Sequence, residues 1–341
     1  PGPGRLMTRW TGLGSLPGTD FADAMAMVLA RTDGYAFVPE LPARGPWAGM
    51  LGRGLGLLDD LPAQFEAGEW RLGDAAGVDQ RRARSTWRDD LERLEEVAHD
   101  YDGTLKVAVV GPWTLAASVG IAHRGRVLAD PGARRDLGQA LAHAVAGLLA
   151  DLHRKLPSAS LVLQVDEPSM PSVLAGAVPT PGGFFRMRAV GAPEVMASLA
   201  GMTEAARAGG ATTVMHSCAP GLPLDILARR DRDGAGFDAL ALDGELQSRR
   251  DWESLGQAVD DGTNLLLGVQ PTAPGSAVLT PDQLTRRTLA WLRPLELGPV
   301  MAERLTLTPA CGLAGFSRTD AAAILANLGR AAAVVTEELS A

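Results

Sequence analysis

Eight short runs of aliphatic and β-branched residues recur along the 341-residue chain: "RWTGLGS", "YAFVPE", "LKVAVVGP", "LVLQVDEP", "TTVMHSC", "DALALD", "NLLLGVQP" and "RLTLTPACG". Each is nearly continuous in apolar character, as a strand buried on both faces must be. Between them lie stretches with helical periodicity, among them "DFADAMAMVLART", "RRDLGQALAHAVAGLLADLHRKL", "PEVMASLAGMTEAARAGG", "RRDWESLGQAVDDG", "PDQLTRRTLAWLRPL" and "RTDAAAILANLGRAAAVVTEEL". Buried strands alternating with amphipathic helices predict a parallel sheet, and eight such units fit one closed α/β barrel, a single (β/α)8 TIM barrel spanning 1–341. No internal repeat and no low-complexity linker divides it.

The spacing breaks between Leu41 and Gly103, a segment too long for one crossover after the second strand. It contains Trp47, Trp70 and Trp87 and a charged helix around "WRDDLERLEEVAHD". Three readings stand: a decorating subdomain, an oligomer contact, or a lid over the barrel mouth.

Composition removes several partners. Hydrophobic residues make up 46% of the chain and charged ones 21%, enough to bury a sizeable core. The formal charge is −8 with no basic stripe interleaved with aromatics, so nucleic acid is not an expected partner. No apolar stretch approaches a membrane span, and "PGPGRLMTRW" lacks the pattern of a signal sequence, so the chain reads as cytoplasmic with no membrane partner. The only cysteines, Cys218 and Cys311, are too few and too far apart for a secreted disulfide framework.

In a parallel barrel the active site forms where the βα loops converge, at the C-terminal ends of the strands. Glu40, Asp166, His216, Asp243 and Cys311 each fall where an apolar run ends, and Cys218 follows His216 by two positions. Cysteine, histidine and a carboxylate are the ligand types zinc prefers, four at a time and tetrahedral. His216, Cys218, Cys311 and either Asp243 or Glu245 make such a shell. A His-x-Cys pair also occurs as a satisfied buried pair, and a Cys218–Cys311 disulfide competes for the same geometry, although cytoplasmic redox conditions oppose it. His99, His123, His143 and His153 fall in helical or loop stretches and read as surface or packing residues. Asp166 followed by Pro168 also reads as a helix cap.

The stretches "GLGSLP", "PELPARG", "VVGPWTL", "LQVDEPS", "HSC" and "TPACGL" resemble, in order and over nearly the whole chain, the catalytic barrel of cobalamin-independent methionine synthase. That family carries two barrels, and this chain looks like a short, single-barrel branch of the superfamily that includes uroporphyrinogen decarboxylase and corrinoid-dependent methyltransferases. The resemblance implies a zinc-dependent methyltransferase that converts homocysteine to methionine. It implies His216, Cys218 and Cys311 as zinc ligands, with Asp243 where the family has a glutamate and Glu245 as the alternative. It implies Asp166 and Glu40 as the carboxylates holding the homocysteine amino group, and Gly14 and Ser15 as the turn receiving its carboxylate.

The ligand set suits that chemistry. Two thiolates and a carboxylate leave a dication with net negative surroundings, so a bound thiolate stays nucleophilic, and the carboxylate, the hardest ligand, is the one incoming sulfur displaces. The chain departs from the family where folate binds. Ser118 stands at the position of the stacking tryptophan, Ser172 at that of the pterin-binding glutamate, and Ala273 where the family has a proton-handling histidine. Trp113, in the same loop as Ser118, reads either as a platform for a flat donor or as barrel packing. The methyl donor is therefore open between folate and a methyl-corrinoid, free or carried by a partner protein. Two other readings stay open: another small thiol as acceptor, and a non-catalytic barrel with a structural zinc.

Overall fold

The computed structural model describes residues 7–121, 125–231 and 233–341. Eight parallel strands build a (β/α)8 barrel: β1 Arg9–Trp10, β2 Tyr35–Phe37, β3 Thr104–Val110, β4 Ser160–Asp166, β5 Thr212–Ser217, β6 Ala239–Asp243, β7 Asn264–Gln270 and β8 Leu305–Pro309. Each of the eight apolar runs supplies one. In space β1 pairs with β8, and the ladder runs back through β7, β6, β5, β4 and β3 to β2. The circle closes between β1 and β2 at a single parallel bridge, Ser15 to Glu40. There the Glu40 N–H donates to Gly14 O at 3.0 Å and its carbonyl accepts from Leu16 N at 2.9 Å.

The amphipathic stretches form the outer helices, and their starts follow capping chemistry. Asp20 caps Phe21–Arg31, Ser248 and Thr280 form capping boxes for Arg249–Asp260 and Pro281–Leu292, and Ser317 caps Arg318–Ser340. The helix expected from Arg134 begins at Pro131 instead, because Asp130 accepts hydrogen bonds from Gly132 N and Ala133 N and proline suits the first turn. One hydrophobic core lies between strands and helices, while a smaller cluster of Leu13, Tyr35, Val162, Val214, Ala239, Ala241 and Leu266 fills the lower lumen. Among the described residues no helix is long and apolar enough to cross a membrane.

The segment 41–103 carries a helix Met50–Leu57, an antiparallel hairpin of Ala63–Glu66 with Glu69–Leu72, and a helix Val78–Ala98. Leu55, Trp70, Trp87 and Leu94 belong to the same hydrophobic core as the strands, so the segment is packed into the barrel's side. Its hairpin pairs with Gly120–Ile121, beyond the short helix Pro112–Ser118 at the tip of β3. This places hairpin residues along one edge of the mouth.

Close approach of backbones sets the opposite edge. At Gly268 a Cβ would stand 2.7 Å from Ala310 Cα and 2.9 Å from Leu242 O, distances real side chains do not tolerate. Here β7 shifts register against β8, and only glycine lets β6 and the tip of β8 converge. Gly268→Ala is expected to destabilise the fold by ~1–3 kcal/mol, seen as a lower urea midpoint at unchanged slope. An unchanged midpoint would show that these strands have room to part.

Candidate active site

Strand ends deliver the expected residues to one mouth. His216 and Asp166 are register partners on β5 and β4, and the His216 Nδ1 lies 2.7 Å from Asp166 Oδ1. An ionised carboxylate only accepts, so Nδ1 carries the proton and the neutral ring keeps its lone pair on Nε2. That Nε2 is buried and has no hydrogen-bond partner among the described residues. Burial disfavours the imidazolium, but the hydrogen bond and charge of Asp166 outweigh it, and the His216 pKa ends above its ordinary value.

Cys218 follows β5 and Cys311 follows β8. Both are free thiols, and Cys311 Sγ donates to Cys218 Sγ at 3.3 Å. This shared proton pulls the Cys218 pKa down to about 7 and, with burial, pushes Cys311 up. A tetrahedral ion bonded at ~2.3 Å to two sulfurs holds them about 3.8 Å apart, so the pair would open by only about half an ångström to admit one.

Asp243 ends β6 half-buried, with Oδ1 accepting from Glu245 N at 3.0 Å; burial raises its pKa. Glu245 is exposed and ion-paired with Arg287. Among the described residues, no group of three or more His, Cys, Asp and Glu side chains already stands as a metal cage. The donor set still fits zinc: a sulfur pair, an imidazole with its lone pair unengaged, and a carboxylate on the far nitrogen of that imidazole, the arrangement that orients ligating histidines.

The other half of the mouth is carboxylate. Asp166 Oδ1 also accepts from Gln164 Nε2 at 2.8 Å, which leaves Oδ2 unengaged. Glu40 is 8% exposed, and among the described residues neither of its oxygens accepts a hydrogen bond. Its side chain lies against Gly14, whose φ of +118° turns the β1 tip so that the N–H groups of Gly14 and Ser15 enter no backbone hydrogen bond. Ser15 also packs against Gly312, beside Cys311, which joins the two halves.

Several participants escaped the sequence reading. Lys106, 1% exposed in the lumen below the mouth, donates to Gly12 O at 2.8 Å and to Gln164 Oε1. Burial lowers its pKa to about 7 against the pull of Asp166 and Glu40. Gln164 donates to Leu13 O at 3.0 Å as well as to Asp166, so a polar chain runs from Lys106 to His216. Glu167 turns the opposite way from Asp166 and accepts from Trp113 N, Thr114 N and Thr114 Oγ1 at 2.7–2.8 Å; burial raises its pKa to about 7. Glu167 therefore holds the first turn of the helix Pro112–Ser118, while Asp166 faces the lumen and the helix after Pro168, Met170–Leu174, has no side-chain cap. The available signal was polar residues inside otherwise apolar strands.

The remaining positions divide. Ser118 and Ser172 line a cavity of about 590 Å³ beside the mouth, with Met50, Phe65 and Trp70 from the 41–103 segment on its other wall. Trp113 is buried and its indole N–H donates to Val195 O at 3.2 Å, a packing role. Ala273 lies exposed beyond β7. His99 and His143 are exposed, His153 is half-buried on a helix, and His123 lies outside the described residues.

No family model matches the chain, and no curated protein matches it by sequence. Among solved structures it is similar to a B12-independent methionine synthase from Shewanella sp. W3-18-1, in complex with selenomethionine, with a TM-score of 0.60, 14% identity, and 98% of this chain and 99% of that one covered. An endo-β-1,4-mannanase double mutant from Cellulomonas fimi follows, with a TM-score of 0.50 and 14% identity over 96% of this chain and 71% of that one. At such identities the likeness is one of fold, and the fold it supports is the (β/α)8 barrel.

Proposed function

We propose that the protein is a zinc-dependent S-methyltransferase that methylates homocysteine. The observation carrying this reading is the meeting, at one barrel mouth, of the Cys218–Cys311 sulfur pair and the unpartnered His216 Nε2 with two carboxylates that keep oxygens free. Structural zinc sites draw on closely spaced ligand pairs, whereas these donors come from separate strand ends beside an open cavity. His216, Cys218, Cys311 and Asp243 are the proposed ligands. Zinc bound there would supply the Lewis acidity that keeps an incoming thiol ionised at neutral pH.

The chain's own groups do the rest. Asp166 Oδ2 and Glu40 accept the substrate's ammonium protons, and the N–H groups of Gly14 and Ser15 receive its carboxylate, which fixes the thiol between them and the sulfur pair. Asp166 holds the proton on His216 Nδ1. The substrate sulfur's electron pair forms the new C–S bond as the donor's bond to the methyl carbon breaks, the donor keeping those electrons. The adjoining cavity is the proposed donor entrance. Its serines supply neither the stacking ring nor the carboxylate of the family's folate site, which favours a methyl-corrinoid, free or protein-bound.

Three outcomes are expected. Purified protein should hold about one zinc per chain, and Cys218→Ser and Cys311→Ser should each lose most of it by elemental analysis; full occupancy in both would remove the central claim. Asp166→Asn should weaken zinc binding about 10–100-fold in a chelator competition, since it disturbs the partner of His216 Nδ1; unaltered affinity would mean that His216 is no ligand. Offered homocysteine, the enzyme should form methionine faster from methylcobalamin than from methyltetrahydrofolate. Efficient turnover with the folate alone would show that Phe65 and Trp70 have rebuilt a pterin platform.

A further inference from the structure

The helix Met50–Leu57 has an improbable sequence, "MLGRGLGL", with glycine at 52, 54 and 56. Each glycine lies where a side chain cannot. A Cβ on Gly52 would meet Pro46 O at 2.2 Å, one on Gly54 would meet Val110 Cγ1 at 2.2 Å, and one on Gly56 would meet Ala83 Cβ at 2.8 Å. Glycine is a poor helix former, so close packing on all sides is what this helix gains from them. The residue brought inside is Arg53, 2% exposed.

Arg53 is held from behind. Its guanidinium stacks on Trp87 at 3.8 Å, the Trp87 indole N–H donates back to Arg53 O at 2.9 Å, and Asp90 lies 3.4 Å from Nη1 while forming a bidentate pair with Arg44. On its forward side Nε stands 3.8 Å from Glu40 Oε1, within ion-pair range but outside hydrogen-bond range. Among the described residues Nε and Nη2 have no hydrogen-bond partner. Arg53 thus gives Glu40 a neighbouring positive charge without occupying its oxygens.

We propose that Arg53 is a positioning residue for the acceptor: it favours the ionised form of Glu40 while leaving both oxygens available, and so selects thiols that carry an α-ammonium group. This rests on the reading of the mouth as a homocysteine site. The charged groups facing Glu40 are Arg53 from the inserted helix, Lys106 from β3, Asp166 from β4 and His216 from β5. Burial pushes the Glu40 pKa up to about 7, and Arg53 is the strongest of the influences opposing it. Without that guanidinium the neutral acid predominates further at neutral pH, and an ammonium group loses one of the two anions that would hold it.

The test measures binding by calorimetry to the zinc-loaded protein between pH 5.5 and 8.5, using homocysteine and 4-mercaptobutanoate, which is the same thiol without the amino group. Arg53→Met should weaken homocysteine about fivefold or more at pH 7 and move the acid limb of its binding profile upward by ~1 unit or more. The sign follows from the charge: removing a cation beside a carboxyl raises its pKa, so ionisation is lost from the acid side first. Affinity for 4-mercaptobutanoate should not change, and Arg53→Lys should restore most of the loss. Should Arg53→Met not fold, Arg53→Gln carries the same expectation with a polar contact to Asp90 retained. Equal losses for both thiols, or none for either, would overturn the proposal. If the wild type itself binds both thiols alike, the ammonium reading of Glu40 and Asp166 fails and takes this proposal with it. If the wild type discriminates and Arg53→Met still does, only the role of Arg53 falls.

Discussion

The barrel closes through the backbone of one residue, Glu40. β1 and β2 contribute only short ladders, and their seam is completed where Glu40 donates to Gly14 and accepts from Leu16. A cylinder of parallel strands cannot close without such a bridge, because an open seam leaves backbone groups unpaired beside the core. The residue that makes the closure also carries the carboxylate at the mouth. Its position is therefore set by the same hydrogen bonds that complete the fold, and any displacement of Glu40 strains the seam.

Closure creates the second constraint, a lumen that is polar above a small apolar floor. Lys106, Gln164, Asp166 and His216 satisfy one another in series, with Gly12 and Leu13 carbonyls taking the remaining donors. A buried lysine is costly unless its protons are shared, and here they fix which way the Gln164 amide points. That orientation places an N–H toward Asp166, and Asp166 in turn fixes the His216 tautomer. Networks of this kind rigidify when complete and fail when one member is missing.

The architecture was legible because burial on both faces leaves continuous apolar runs, and each of the eight marked a strand. The tips were legible too: Glu40, Asp166, His216, Cys218 and Cys311 reach one mouth because parallel strands all end on the same side. What stayed hidden was direction and partnership. Adjacent residues of a strand point oppositely, so "DEP" alone did not say that Asp166 faces the lumen and Glu167 caps a helix. Lys106 and Gln164 were visible as polar intrusions in apolar runs, but only the closed lumen pairs them. Arg53 carried no periodic signal, since three of the eight residues in its helix are glycine and its partners Trp87 and Asp90 lie one helix away.

The mouth is assembled from two groups of chain segments. The sulfur and imidazole side comes from the ends of β5 and β8, with Asp243 of β6 beside them. The carboxylate side comes from β2 and β4, with a guanidinium reaching it from the 41–103 segment through Arg53. The two groups meet at the Asp166–His216 hydrogen bond and where Ser15 packs against Gly312. The two groups can then drift at different rates in descent: replacing the helix around Arg53 would change the charge beside Glu40 with the sulfur pair left as it is.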